Sequence, residues 1–280
     1  MMMIFTSWKS KAIRTYVCRD LRNRGEPYDA IDDRQRRVPG FSQEVASGLG
    51  LGVIGAGGLG GHFVQGGVRK GVGELTVYDG DNVGLSNLNR QLFTPADIGK
   101  NKAVCLARNA SRAGFMGTRL VAVPHFFQAA VELGLERECD AAACLVDNDE
   151  TRVYVARHYI DRPVVYAALS QDACYGYVAV QEPGKACFGC FMPKALAAGT
   201  AVGRTAGACP GDPAITDVVT VVAGLALYAI DSLFMGRPRR WNFKQIALHG
   251  LFPDITTVVP KRSGCPICGS VQPAEPDGRP

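Results

Sequence analysis

Histidine is scarce in this chain, with 4 among 280 residues, so a reaction that leans on an imidazole base has little to draw on. An unbroken apolar leader is also missing. Met1 to Ser10 carries Trp8 and Lys9 where a secretory signal needs an apolar core and a small-residue cleavage site, so export is not expected. The most apolar stretch, Val218 to Phe234, is interrupted by Thr220 and Asp231 and is too short to span a bilayer comfortably; it predicts a buried helix and no membrane partner. Net charge is small. The excess of +5 is partly gathered in Lys9, Lys11, Arg14, Arg19, Arg22 and Arg24, which reads as a solvated basic segment and offers nucleic acid little hold.

What is present is a normal core supply, 47% hydrophobic and 20% charged, enough for one large α/β domain or two smaller ones. There are 10 cysteines, and four of them form two tight pairs, Cys187/Cys190 and Cys265/Cys268. That is metal-ligand spacing and points to zinc in a reducing compartment, the cytoplasm. Four thiolates would close a tetrahedral site and leave no open position, so the zinc is expected to be structural and to tie the chain's end to its middle.

The run Leu51-Gly52-Val53-Ile54 leads into Gly55-Ala56-Gly57-Gly58-Leu59-Gly60 and then a helix expected to reach Arg69. A strand that stops at such a turn before a helix aims backbone N–H groups at an anion, usually a nucleotide phosphate. Gly55 permits the bend, Gly57 lets backbone approach the phosphate, and Gly60 lets helix pack on strand. A second strand, Glu74 to Tyr78, ends at Asp79, placed to hold a ribose hydroxyl. At this point ATP and NAD are equal candidates.

The remaining chain frames that unit. Residues 1 to 30 read as an N-terminal extension, a short helix packed on the body or on a partner. Asp33 to Phe41 is a charged turn, or a catalytic arginine segment, before a helix from Ser42, its N-cap, to Leu49. After the polar stretch Asp79 to Gln91, a helix runs from Lys102 to about Ala113; Asn87, Arg90 and Lys102 would neutralise phosphates. Asp140 to Val146 predicts a buried parallel strand delivering Asp147 as a Mg²⁺ ligand, unless Asp147 to Asp149 only cap the helix Thr151 to Ile160. Strands are expected at Pro163 to Ala168 and, antiparallel, at Ala173 to Gln181. A small-residue loop from Lys194 to Pro213 contains Cys209. A helix from about Ile215, strands at Phe243 to Leu248 and Ile255 to Val259, and a disordered tail over residues 271 to 280 complete the reading. Cys105, Cys139, Cys144 and Cys174 are expected on core helices and strands.

Together, Gly55-x-Gly57-x-x-Gly60, Asp79-x-Asp81-x-Val83-x-x-Ser86-Asn87-Leu88-x-Arg90-Gln91, Gly99-Lys100-x-Lys102, Asp147-Asn148 and the two Cys-x-x-Cys pairs resemble the ThiF/MoeB/HesA superfamily, relatives of ubiquitin-activating enzymes, over roughly residues 31 to 270. The resemblance implies a Rossmann-like α/β fold with a mixed, mainly parallel sheet flanked by helices and a four-cysteine zinc clamp. It also implies an adenylyltransferase using ATP and Mg²⁺ to activate the C-terminal carboxylate of a small ubiquitin-like or sulfur-carrier protein ending in Gly-Gly. Carried over by motif, Gly55, Gly57 and Gly60 cradle phosphate, Asp79 with Asp81 lies at the ribose, Asn87, Arg90 and Lys102 meet phosphates, and Asp147 binds Mg²⁺. Arg34 matches an arginine supplied by the second subunit of a homodimer, and Cys209 a cysteine that forms a covalent link to the carrier in some members. A ribosomal peptide or tRNA-linked carboxylate as substrate, a non-catalytic partner subunit, and an NAD dehydrogenase are the competing readings.

Overall fold

The structure is a computed structural model, and it describes residues 12–22, 31–198, 213–251 and 253–269. In chain order the elements are β1 (Arg14–Val17), α1 (Asp33–Arg36), α2 (Gln43–Gly48), β2 (Gly50–Ile54), α3 (Gly58–Lys70), β3 (Glu74–Tyr78), α4 (Lys102–Ser111), β4 (Arg119–Val123), α5 (Phe127–Glu132), β5 (Ala141–Cys144) and α6 (Asp149–His158). They continue with β6 (Val164–Leu169), β7 (Tyr175–Gln181), α7 (Phe188–Phe191), α8 (Ala195–Ala198), α9 (Thr216–Phe234), β8 (Phe243–Ala247) and β9 (Ile255–Thr257). Two short 3₁₀ turns, Leu85–Asn87 and Pro95–Asp97, punctuate the link from β3 to α4.

One nine-stranded sheet runs through the molecule in the order β1-β4-β3-β2-β5-β6-β7-β8-β9. Strands β4, β3, β2, β5 and β6 are parallel, β1 joins one side antiparallel, and β7, β8 and β9 extend the other side antiparallel. The parallel strands are apolar at nearly every position because both faces are covered. Leu51, Val53, Leu75, Val77, Leu120 and Ala143 point to the layer formed by α3, α4 and α9. Their alternates Ile54, Tyr78, Val121, Val123 and Cys144 point to the layer of α5, α6 and α7. Phe127 anchors the second layer, edge-on to Tyr78 with ring centroids 5.2 Å apart. Complete burial of one such side chain contributes roughly 1.5–3 kcal/mol, so the two covered faces dominate stability.

Several local expectations are met in detail. Ser42 caps α2, its hydroxyl accepting from the Val45 N–H at 3.2 Å. The antiparallel strand after β6 forms, with Leu169 opposite Gly176. Helix α9 packs on α3, β6 and β7 through Val218, Val219, Val222, Ala226 and Ile230. By length and composition its 19 residues would suffice to cross a membrane, and half of its apolar window is buried in the fold; Val221 and Gly224 lie on an exposed face, so the expected buried helix is covered on one side only.

Three expectations are corrected. Residues 14–17, within the segment read as an extension, form strand β1, because Arg14 to Val17 find register with Ala122 to Arg119. Cys174 lies half-buried in the turn between β6 and β7, where its N–H donates to Asp172 at 3.1 Å. Cys139 precedes β5 and is also half-buried, whereas Cys105 and Cys144 are core residues as expected. Strand β4 and helix α5 had no counterpart in the sequence reading. Cys209 and residues 271–280 lie outside the described residues.

Candidate functional site

The chain steps from β2 to β3 and β4 in one direction, then returns to β5 on the other side of β2. A crevice therefore opens at the carboxyl ends of β2 and β5, the place where open α/β sheets hold ligands. The glycine turn fills one wall. Gly55 has φ +99°, and a Cβ there would meet the Leu145 carbonyl oxygen at 3.0 Å. At Gly60 a Cβ would stand 1.9 Å from the Gly55 carbonyl oxygen, which only glycine avoids. Gly57 differs: the nearest group to a Cβ there would be Gln91 Nε2 at 3.9 Å, so space is open above it. Gly57 is also the N-cap of α3 and provides no side-chain acceptor, leaving first-turn N–H groups available to an anion.

Asp79, 7% exposed, ties this turn to the next loop. The Ala56 and Asp81 N–H groups donate to its two carboxylate oxygens at 2.7 and 2.8 Å. Burial pushes the Asp79 carboxyl up, opposed by Lys102 and by those two donors. Asp79 thus organises the backbone at the position expected to face a ribose.

Beyond it the polar stretch forms a strap. Asn87 turns its Oδ1 back to accept from the Gly84 N–H at 2.8 Å, and Arg90 donates to the Ser86 carbonyl at 2.9 Å and to Asn89 Oδ1 at 3.0 Å. Lys102, at the start of α4, donates to Asp81 at 2.9 Å. Asp81 is 53% exposed, so this pair contributes ~0–1 kcal/mol and cannot hold Lys102 against a polyphosphate. Asp97 anchors the strap from beneath, accepting from the Thr94 N–H at 2.9 Å and from Asn109 at 2.9 Å, and pairing with Arg108. Despite burial, these partners bring the Asp97 carboxyl down to about 2.

On the opposite wall, Asn148 caps α6, its Oδ1 accepting from the Thr151 N–H at 2.8 Å. Asp147 is exposed and is not the cap; it lies in the loop that follows β5, whose Leu145 and Val146 stand against Gly55 of the glycine turn. Arg34 is not brought to this crevice. Its neighbour Gln35 donates to the Lys70 carbonyl at the far end of α3, and 13 helical residues separate the two ends by about 20 Å.

Two residues at the crevice were not singled out from sequence. Gln91 is 7% exposed, lies against Gly57, and its buried Oε1 has no partner among the described residues. Arg152 reaches from α6 under the Asp147 loop. Gln91 is signalled by its place in the polar stretch and in the family motif, which assign it no role; nothing local signals Arg152. The open space above Gly57, the uncapped α3 N-terminus and the nearby Arg90 and Lys102 fit a nucleotide polyphosphate, while the orphaned Gln91 oxygen, an acceptor, calls for a donor such as a hydroxyl or amino group.

The second centre lies between α7 and the last described residues. The Sγ atoms of Cys187, Cys190, Cys265 and Cys268 all fall within 4.8 Å of one another, with Cys187 to Cys265 at 3.5 Å and Cys190 to Cys268 at 3.4 Å. A tetrahedral zinc with bonds of ~2.3 Å sets its sulfurs ~3.8 Å apart, so the donor set fits zinc. Burial resists ionisation of Cys265, but the Cys268 and Ile267 N–H groups bring its thiol to about 7; burial and its sulfur neighbours push Cys187 up.

Residues 33–271 match the ThiF family. A sulfur carrier protein adenylyltransferase of Thermus thermophilus is 31% identical over 226 residues, 78% of this chain and 81% of its own length. Ubiquitin-like modifier-activating enzyme 5 of Oryza sativa is 27% identical over 188 residues, 62% of this chain and 45% of its own, so the chain spans about half the length of relatives of that name. Among solved structures, E. coli MccB, crystallised with MccA, superposes with a TM-score of 0.67 at 18% identity, covering 81% of this chain and 68% of that one. That likeness is one of fold.

Proposed function

Because the chain belongs to the ThiF family, we propose that it is an ATP-dependent adenylyltransferase that activates the C-terminal carboxylate of a small ubiquitin-like or sulfur-carrier protein. What supports the reading is an uncapped glycine turn after β2, with Arg90 and Lys102 on and after the strap that follows β3 and the exposed Asp147 in the loop after β5. In this reading a carboxylate oxygen of the carrier bonds to the α-phosphorus of ATP, the bond from that phosphorus to the β-phosphate oxygen breaks, and pyrophosphate leaves. Anion meets anion, so the site must cancel charge and fix geometry. The nucleophile is already ionised at neutral pH and needs no base.

The first-turn N–H groups of α3 would cradle the phosphates, and Arg90 and Lys102 would leave Asn89 and Asp81 to neutralise charge that develops on pyrophosphate. Mg²⁺, held at Asp147, would supply electrostatic stabilisation at the phosphates. Arg34 lies too far from its own crevice and would act in the crevice of a second copy, which makes the enzyme a homodimer. The zinc clamp is structural, and the free thiols suit the cytoplasm. Cys209 is kept as a candidate for a later covalent step.

ATP–pyrophosphate exchange tests the reading. Exchange stimulated by a carrier ending in Gly-Gly supports it. Exchange stimulated instead by a ribosomal peptide moves the substrate class while keeping the chemistry, and no exchange with any acceptor, together with NADH binding, overturns it.

A further inference from the structure

The loop from Leu145 to Asn148 is fixed at both ends. The Leu145 N–H donates to the Ile54 carbonyl at 2.8 Å, and Asn148 caps α6. Between them, the Val146 carbonyl belongs to the same peptide plane as the Asp147 N–H, and so sets the direction in which Asp147 leaves the chain. Arg152 grips that plane. Its guanidinium donates to the Val146 carbonyl at 2.6 Å and to Asp149 Oδ1 at 2.6 Å, bracketing Asp147 from both sides.

Burying the cation here is unfavourable on stability grounds alone. The Arg152 side chain is 9% exposed, its Asp149 partner is 40% exposed, and its Nε is buried with no partner among the described residues. A half-satisfied buried charge is weak support for a fold, and an apolar residue would fill the space without that cost. The forked shape matters too: a lysine ammonium cannot span both acceptors in one plane.

We propose that Arg152 is a positioning residue that holds the peptide plane of Val146 and Asp147 so that the Asp147 carboxylate faces a metal-bound nucleotide. The proposal rests on the reading of Asp147 as the metal-binding carboxylate. It concerns the orientation of that ligand, which the exposed Asp147 side chain alone does not secure.

The test uses the full chain and Mn²⁺ as the probe, measured by electron paramagnetic resonance in the presence of a non-hydrolysable ATP analogue. Arg152→Met should weaken Mn²⁺ binding ~10–100-fold, the range seen when a residue supporting a metal ligand is lost. The Mg²⁺ concentration needed for half-maximal exchange should rise with it, while zinc content and metal-free nucleotide affinity hold. Arg152→Lys, which keeps the charge, should fall between wild type and Arg152→Met and provides a folded variant if the methionine protein does not accumulate. Asp147→Asn should lose Mn²⁺ binding, and adding Arg152→Met to it should lose no more. If both Arg152 variants leave Mn²⁺ binding unchanged while Asp147→Asn abolishes it, Arg152 is only a packing residue and the proposal fails alone. If Asp147→Asn also leaves binding unchanged, the assignment of Asp147 fails and this proposal falls with it.

Discussion

The glycine-turn crevice and the four-cysteine centre sit on one chain and solve opposite problems. The crevice keeps polar groups unsatisfied: an uncapped helix start, an orphaned Gln91 oxygen, and cations held only by solvent-exposed partners. The cysteine centre closes on itself, with four thiols converging from residues 78 apart in sequence. One region leaves partners for a ligand to supply, and the other gathers a donor set that a single ion could close. Their functions are separable for the same reason.

The largest effect should come from breaking the closed region. Chelation of zinc or Cys187→Ser should lower Tm by about 10 °C or more, because structural zinc contributes folding free energy directly; calorimetry with zinc quantification checks it. Next, Arg90→Ala and Lys102→Ala should each reduce exchange ~10²–10³-fold, the scale for removing one positioned charge, with Tm and zinc content unchanged. A pair of glycines sharpens the contrast inside the open region. Gly60→Ala places a Cβ against the Gly55 carbonyl and should cost ~3 kcal/mol or more in denaturant unfolding, whereas Gly57→Ala meets open space and should change stability by less than ~1 kcal/mol while weakening nucleotide binding.

An effect confined to acid pH concerns the strap that joins Arg90 to Lys102. The Asp97 carboxyl is depressed to about 2 in the folded chain, below the ordinary value of 3.8. Its stabilisation is therefore present above pH ~4 and is lost as pH falls toward 2, in total about 2 kcal/mol. Asp97→Asn should be less stable at neutral pH and should flatten that acid limb, as read from unfolding free energies between pH 2 and 6.

The open region was largely legible in the sequence because its signals are local. Gly55, Gly57, Gly60 and Asp79 fall within one βαβ unit, where spacing alone sets geometry. The cysteine pairs were legible for a different reason: metal spacing survives any fold that brings two pairs together. Strand β1 was not legible, since Arg14 to Val17 is four residues whose partner lies about a hundred positions away in β4, and a short run of that kind has no period to read. Arg152 was hidden because its partners are a backbone carbonyl and the surface Asp149, neither of which leaves a mark on composition. Arg34 was named from its motif, and only the length of α3 shows that it lies away from the crevice of its own chain.

The sheet has a further consequence for how the chain assembles. Its two edges are the first and last strands among the described residues, β1 and β9, four and three residues long. With strands ~4.8 Å apart, they lie about 38 Å from one another across the sheet. As the polypeptide emerges from the ribosome, β2 can pair with β3 almost at once, while β1 must wait for β4 and the far edge for β8 and β9. The central crevice is therefore framed before either margin is sealed, and the short margins leave little ladder for a neighbouring nascent chain to join.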